Sequence, residues 1–269
     1  MRRILPTIAL ASLTVLAAGS AGAYTVLSGV DANGNSTRLL TTPNSSAADN
    51  SFRALLTGVG TETFETQTVG ATAPLVLNFG AAGTATLTGG NGRVTATASN
   101  TINVGRYSVP GGTNYYDVAA SAVNSFQINF SQEIAAFGFY GVDIGDFRGA
   151  LQLEFVDSAN RAIASLNVPT AGEALANGSV LYFGVIATTS AELFRSVRFI
   201  TTGVGNEPDF FGFDSMTIGN SQATRAAAGT GEPTVSRLGA TGGDTCHLDI
   251  IDRWGNMVSA TPSAGWLQS

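Results

Sequence analysis

Ser125-Phe126-Gln127-Ile128-Asn129-Phe130 alternates polar and apolar side chains without a break. Successive residues of a β-strand point to opposite faces, so Phe126, Ile128 and Phe130 share one side and Gln127 and Asn129 the other. Such a strand has one face in a core and the other in water. The same period recurs upstream in Leu75–Phe79, Thr84–Thr88 and Arg93–Thr97. Downstream it returns in Ala136–Tyr140, Leu151–Phe155, Ser179–Phe183 and Ser196–Ile200. Breakers stand between them: Gly89-Gly90-Asn91-Gly92, Pro110-Gly111-Gly112, Asp157-Ser158-Ala159-Asn160 and Asn177-Gly178. Short alternating strands at this spacing predict an all-β, two-sheet antiparallel β-sandwich. The polar segment 31–50 reads as a loop, and Ser51–Leu56 as a short helix.

Outward from this pattern, the N-terminus has a different character. Arg2 and Arg3 precede an apolar run from Ile4 to about Leu16, followed by small residues ending in Ala21-Gly22-Ala23. This is the order of a cleavable signal peptide, with cleavage expected after Ala23 and a mature chain beginning near Tyr24. The run falls short of the roughly 20 apolar residues that span a bilayer, so no stable membrane span is expected after cleavage. The expected location is outside the cytoplasm, secreted or at the cell surface.

Composition narrows the function classes. All 13 basic residues are Arg, against 19 acidic residues, for a net charge of −6. A surface of that balance does not neutralise phosphates, so nucleic acid is not an expected partner. The lone Cys246 excludes an intramolecular disulfide, and the lone His247 excludes a multi-histidine zinc site. Stability is expected to come from an apolar core.

Three stretches carry candidate chemistry. Asp143 and Asp146 stand three positions apart in Gly141-Val142-Asp143-Ile144-Gly145-Asp146, a Gly-broken turn after a strand. Asp214 closes Phe211-Gly212-Phe213-Asp214, leading into the strand Ser215–Ile218, and Glu65 follows Phe64 near the start of the fold. Oxygen-only donors favour Ca2+ over zinc, the alternative being acids that bond their own turn backbone. Tyr107, Tyr115, Tyr116 and Trp254 are candidates either for stacking on sugar rings or for core and turn packing.

The stretch from about Ser51 to Gly219, with FGFYGVDIGDF (138–147 preceded by Phe137) and DFFGFDSMTIG (209–219), resembles exported bacterial proteins of the PEP-CTERM class. The resemblance implies a surface or extracellular-matrix sandwich associated with polysaccharide. The Pro-Glu-Pro motif, apolar helix and basic tip typical of that class are not found here. The early Phe64-Glu65 with the late Phe213-Asp214 is also similar to carbohydrate-binding β-sandwiches of the jelly-roll kind. That similarity implies a structural calcium held by Glu65 and Asp214, and extracellular polysaccharide as partner.

After Asn220 the composition shifts. Residues 221–243 are rich in Ala, Gly and Thr and read as a linker, and the C-terminal tail is expected to be largely irregular. From Gly231 to Ser269 the chain, with Asp244-Thr245-Cys246-His247, resembles the autocleavage region of γ-glutamyltransferase. The resemblance implies Thr245 as an N-terminal nucleophile whose own amine is the base, with Thr261 and Ser263 in support. It makes a γ-glutamyltransferase-like enzyme the alternative to a non-enzymatic sandwich. The expected organisation is signal peptide 1–23, sandwich 24–220, linker 221–243 and γ-glutamyltransferase-like fragment 244–269.

Overall fold

A computed structural model describes residues 24–97, 105–109, 111–120, 125–145, 149–172, 175–202, 209–221, 248–251 and 257–260. The chain divides into two compact units, 1–229 and 230–269.

The first unit is an antiparallel two-sheet sandwich. Its strands begin with β1 (Thr25–Asp31), β2 (Leu56–Glu62), β3 (Leu75–Asn78), β4 (Thr84–Gly89) and β5 (Arg93–Ala96). They continue with β6 (Asn114–Ala120), β7 (Phe126–Ile134), β8 (Ala136–Val142), β9 (Ala150–Val156) and β10 (Ala162–Asn167). The last three are β11 (Val180–Ile186), β12 (Phe194–Thr202) and β13 (Asp209–Ser221). One sheet runs β10-β9-β12-β7-β4-β3; the other runs β1-β11-β8-β13-β6-β5, with β2 added along β13. Each of the eight alternating stretches quoted above falls on a strand to within one residue at an end. The second unit holds an antiparallel hairpin of β14 (Leu248–Ile251) and β15 (Met257–Ala260), so the tail is less irregular than its composition suggests.

Alternation places the core. Phe126 of β7 stacks on Phe199 of β12 with ring centroids 4.3 Å apart. Phe213 of β13 meets Phe126 edge-on at 5.4 Å and Phe199 at 5.2 Å, which ties the two sheets together. Aromatic pairs in these offset and edge-to-face arrangements are worth about 0.5–1.5 kcal/mol beyond their burial. Tyr24 closes one end, its ring stacked 5.2 Å from Phe155 and its hydroxyl donating to the Glu192 carbonyl.

One helix, α1 (Pro43–Ala54), packs on the outward face of the seven-stranded sheet. It corrects the expectation of a loop over 31–50 and a helix only from Ser51. Its buried side is Ser45, Ala48 and Phe52, so two small residues and one aromatic replace the usual apolar stripe. The cap at its start comes from elsewhere in the chain. Buried Asp31, the last residue of β1, accepts the Asn44 and Ser45 backbone N–H groups and the Ser45 hydroxyl. A carboxylate there satisfies donors with no intrahelical partner and faces the positive end of the helix dipole.

Tyr107, Tyr115 and Tyr116 are 3%, 0% and 0% exposed, which removes them as sugar-stacking candidates. Tyr116 points between the sheets, stacked on Phe64 at 6.1 Å. Tyr107 lies in a second apolar layer with Phe52, Tyr140, Val142 and Tyr182. Trp254 lies outside the described residues.

Candidate functional site

The site grows from a fork in the seven-stranded sheet. Along one edge β13 pairs with β8 through Gly212–Gly219. Its other edge is shared, β6 taking Asp209–Phe213 and β2 taking Met216–Ser221. Between the two lie Asp214 and Ser215, where the pairing with β8 also shifts register and Ser215 has φ 45°. The end of β2 and the start of β6 diverge at that point. Glu65, just past β2, and Val109 with residues 111–114, at the start of β6, meet there.

Asp214 is 1% exposed. Its Oδ2 accepts the Val109 N–H at 2.9 Å and its Oδ1 the Ser215 N–H at 2.6 Å. Glu65 is exposed, and its Oε1 accepts the Thr113 and Asn114 N–H groups at 2.6 and 2.9 Å. Gly112 stands between the two acids. A Cβ on it would lie 2.9 Å from Glu65 Oε1 and 3.6 Å from Asp214 Oδ2, so any larger residue would fill the space the acids face.

Backbone conformation is held from both sides of this pair. Phe64, before Glu65, has φ 60°, uncommon for an aromatic residue. It is kept there by buried Glu62, which accepts the Phe64 and Asn78 N–H groups, and by Asn114, which donates to the Phe64 carbonyl. Strained residues persist only where their surroundings over-determine them, and they gather at functional sites.

Electrostatics single out Asp214. Burial pushes its carboxyl up to about 7, the Glu65 charge adds to the rise, and the Val109 and Ser215 N–H groups oppose it. Among the described residues neither acid forms an ion pair. Arg38 approaches the same segment but is spent on neutral oxygens, its Nη2 donating to Ser108 Oγ and to the Val109 and Gly112 carbonyls.

The sequence-predicted residues thus separate. Glu65 and Asp214 come together. Asp143 is buried with φ 64°, its Oδ1 accepting the Gly178 N–H and its own N–H donating to the Ser179 carbonyl, beside Gly105 and Asn177. Asp146, Thr245, Thr261 and Ser263 lie outside the described residues. No group of three or more His, Cys, Asp or Glu side chains gathers among the described residues. A cation at the fork would therefore take two carboxylates and complete its shell with main-chain oxygens and water, a donor set of the kind Ca2+ accepts. Sequence reasoning missed Arg38 and the Arg106–Asp117 pair, because an isolated arginine in a loop carries no periodic or motif signal.

No known protein family and no curated protein matches the chain. Among solved structures, it is similar to the K2 cleaved adhesin domain of Lys-gingipain, at 14% identity and TM-score 0.35, over 60% of this chain and 97% of that one. A second likeness is to TmCBM61 in complex with β-1,4-galactotriose, at 17% identity and TM-score 0.29, over 60% and 95% of the two chains. A third is to the arabinose-bound MgGH51 α-L-arabinofuranosidase, at 14% identity and TM-score 0.35, over 61% of this chain and 26% of the enzyme. At these scores the likenesses carry no conclusion about ligand or activity.

Proposed function

We propose that this chain is an exported, non-enzymatic β-sandwich of the cell surface or extracellular matrix that binds polysaccharide and is braced by a structural Ca2+. The observation that supports it is the meeting of Glu65 and Asp214 around Gly112. These are the two residues through which the sequence resembles carbohydrate-binding sandwiches. One buried and one exposed carboxylate stand at the fork, and among the described residues neither is ion-paired with a cationic side chain. A hard divalent ion supplies a counter-charge and fastens the end of β2 to the start of β6.

Two experiments on the full chain test the reading. Thermal unfolding is compared in excess Ca2+ and in EDTA. An ion at 100 times its dissociation constant adds about 2.7 kcal/mol of stability, and identical midpoints would remove calcium from the proposal. Electrophoresis through gels containing neutral or acidic polysaccharides tests the partner, and unchanged mobility in every gel would remove polysaccharide binding.

A further inference from the structure

On the outward face of the seven-stranded sheet, α1 and the 105–109 segment leave one corner with exposed side chains. There β5, β6 and the start of β13 lie side by side, with Arg93 registered opposite Asp117. Val94, Tyr116, Val118, Phe211 and Phe213 face the core between the sheets, so Arg93, Asp117 and Phe210 take the opposite side. Arg106 enters from the loop above them. Its Nε donates to Asp117 Oδ1 at 2.7 Å, and its guanidinium carbon sits 4.8 Å from the Phe210 ring centroid.

Two properties make this corner unlike an ordinary ion pair. First, the Arg106 side chain is only 14% exposed, yet its two Nη groups donate to no described residue. A guanidinium held through its Nε by Asp117 and set over the Phe210 ring, with a fork end that reaches solvent, is preorganised for a planar anion. Second, among the described side chains two arginines face one aspartate, on a chain of net charge −6. Phe210 beside them is 37% exposed and offers apolar surface next to the charge.

We propose that Arg106, Arg93 and Phe210 form a subsite for a carboxylate-bearing sugar, a uronic acid unit of an acidic polysaccharide. The Arg106 fork takes the carboxylate, Arg93 adds charge, and the exposed part of Phe210 packs against the C–H face of the sugar ring. Asp117 is the positioning residue. The inference rests on the polysaccharide-binding reading above and names the ligand class and its place, away from the Glu65–Asp214 fork.

The test is affinity electrophoresis and calorimetry of the full chain at fixed calcium, with polygalacturonate, dextran sulfate and neutral dextran. Polygalacturonate is expected to bind, more weakly as salt rises. Arg106→Lys, which keeps the charge on Asp117 but loses the fork, and Phe210→Ala are each expected to weaken it about tenfold or more. Arg161→Lys, at the β9–β10 turn, should leave binding unchanged. Should Arg106→Lys lower the melting temperature, exposed Arg93→Gln serves instead, with a severalfold loss expected. Equal binding of neutral dextran with no effect of the variants overturns the subsite and leaves the polysaccharide reading standing. Binding of dextran sulfate alone overturns the uronate assignment, and binding of no polysaccharide overturns both readings.

Discussion

Gly138 of β8 and Gly184 of β11 are directly paired across the sheet, and the Phe52 ring of α1 lies on the bare patch they make. A Cβ on Gly184 would stand 2.6 Å from the Phe52 ring, and one on Gly138 would meet both Tyr182 and Phe52. The helix seats closely because two neighbouring strands carry no side chain at one register position.

Gly184→Ala is accordingly expected to destabilise the sandwich by about 1–3 kcal/mol through overpacking. Phe52→Ala should cost about 3–5 kcal/mol by emptying the seat. The double variant should cost less than the sum, since the added methyl occupies space the ring has left. Urea unfolding of the four proteins checks this, and strict additivity would contradict the packing described.

In the core, Phe126→Ala removes the ring that joins Phe199, Phe213 and Tyr116. A loss of about 3–5 kcal/mol is expected, read from the same unfolding curves. A loss below about 1 kcal/mol would show that the sheets do not meet through this residue.

Asp214 makes stability pH-dependent in the absence of calcium. Its carboxyl titrates near 7 in the folded chain against an ordinary value of 3.8. Between those values the folded chain keeps a proton that the unfolded chain has released, so stability falls as pH rises and levels off above about 7. In EDTA the melting temperature should therefore be lower at pH 8 than at pH 5, and Asp214→Asn should flatten the difference. Conversely, calcium should bind more weakly at pH 5, because it competes with that proton. A metal-free melting temperature that rises from pH 5 to pH 8, with the same slope in the variant, contradicts the assignment.

Export with cleavage after Ala23 predicts an intact mass for a chain beginning at Tyr24, whose ring is seated against Phe155. It is also expected to run unbroken through Asp244–Thr245. A peptide starting with Thr245 would instead favour the γ-glutamyltransferase-like alternative.

The sandwich was legible because alternation is a property of each strand alone. In β7 the sequence Phe126-Gln127-Ile128-Asn129-Phe130 shows which side is buried without reference to any partner. What escaped were features whose cause lies far away in the chain. Helix α1 is invisible locally, since its cap is Asp31 and its seat is made by Gly138 and Gly184. β10 was missed because Ala162–Asn167 is an edge strand whose side chains are only partly buried. Of the two roles open to Tyr107, Tyr115 and Tyr116 in the sequence, packing is the one their burial selects, and the sequence could not choose because a tyrosine reads the same whether its ring lies in a core or at a surface. Glu65 and Asp214 were singled out as oxygen donors in their local stretches and then by resemblance, whereas the fork that unites them depends on strand order, which no local pattern encodes.

That fork also sets the timing of assembly. β13 must supply one edge to β8 and the other to both β6 and β2, yet it is the last strand of the sandwich to be synthesised. Until residues 209–221 are available, β2 has no strand to pair with and the seven-stranded sheet has a gap between β8 and β6. The seven-stranded sheet therefore cannot be completed before residues 209–221 are in place. The ordering of so many distant segments at one step makes folding slow compared with a helical protein of similar size.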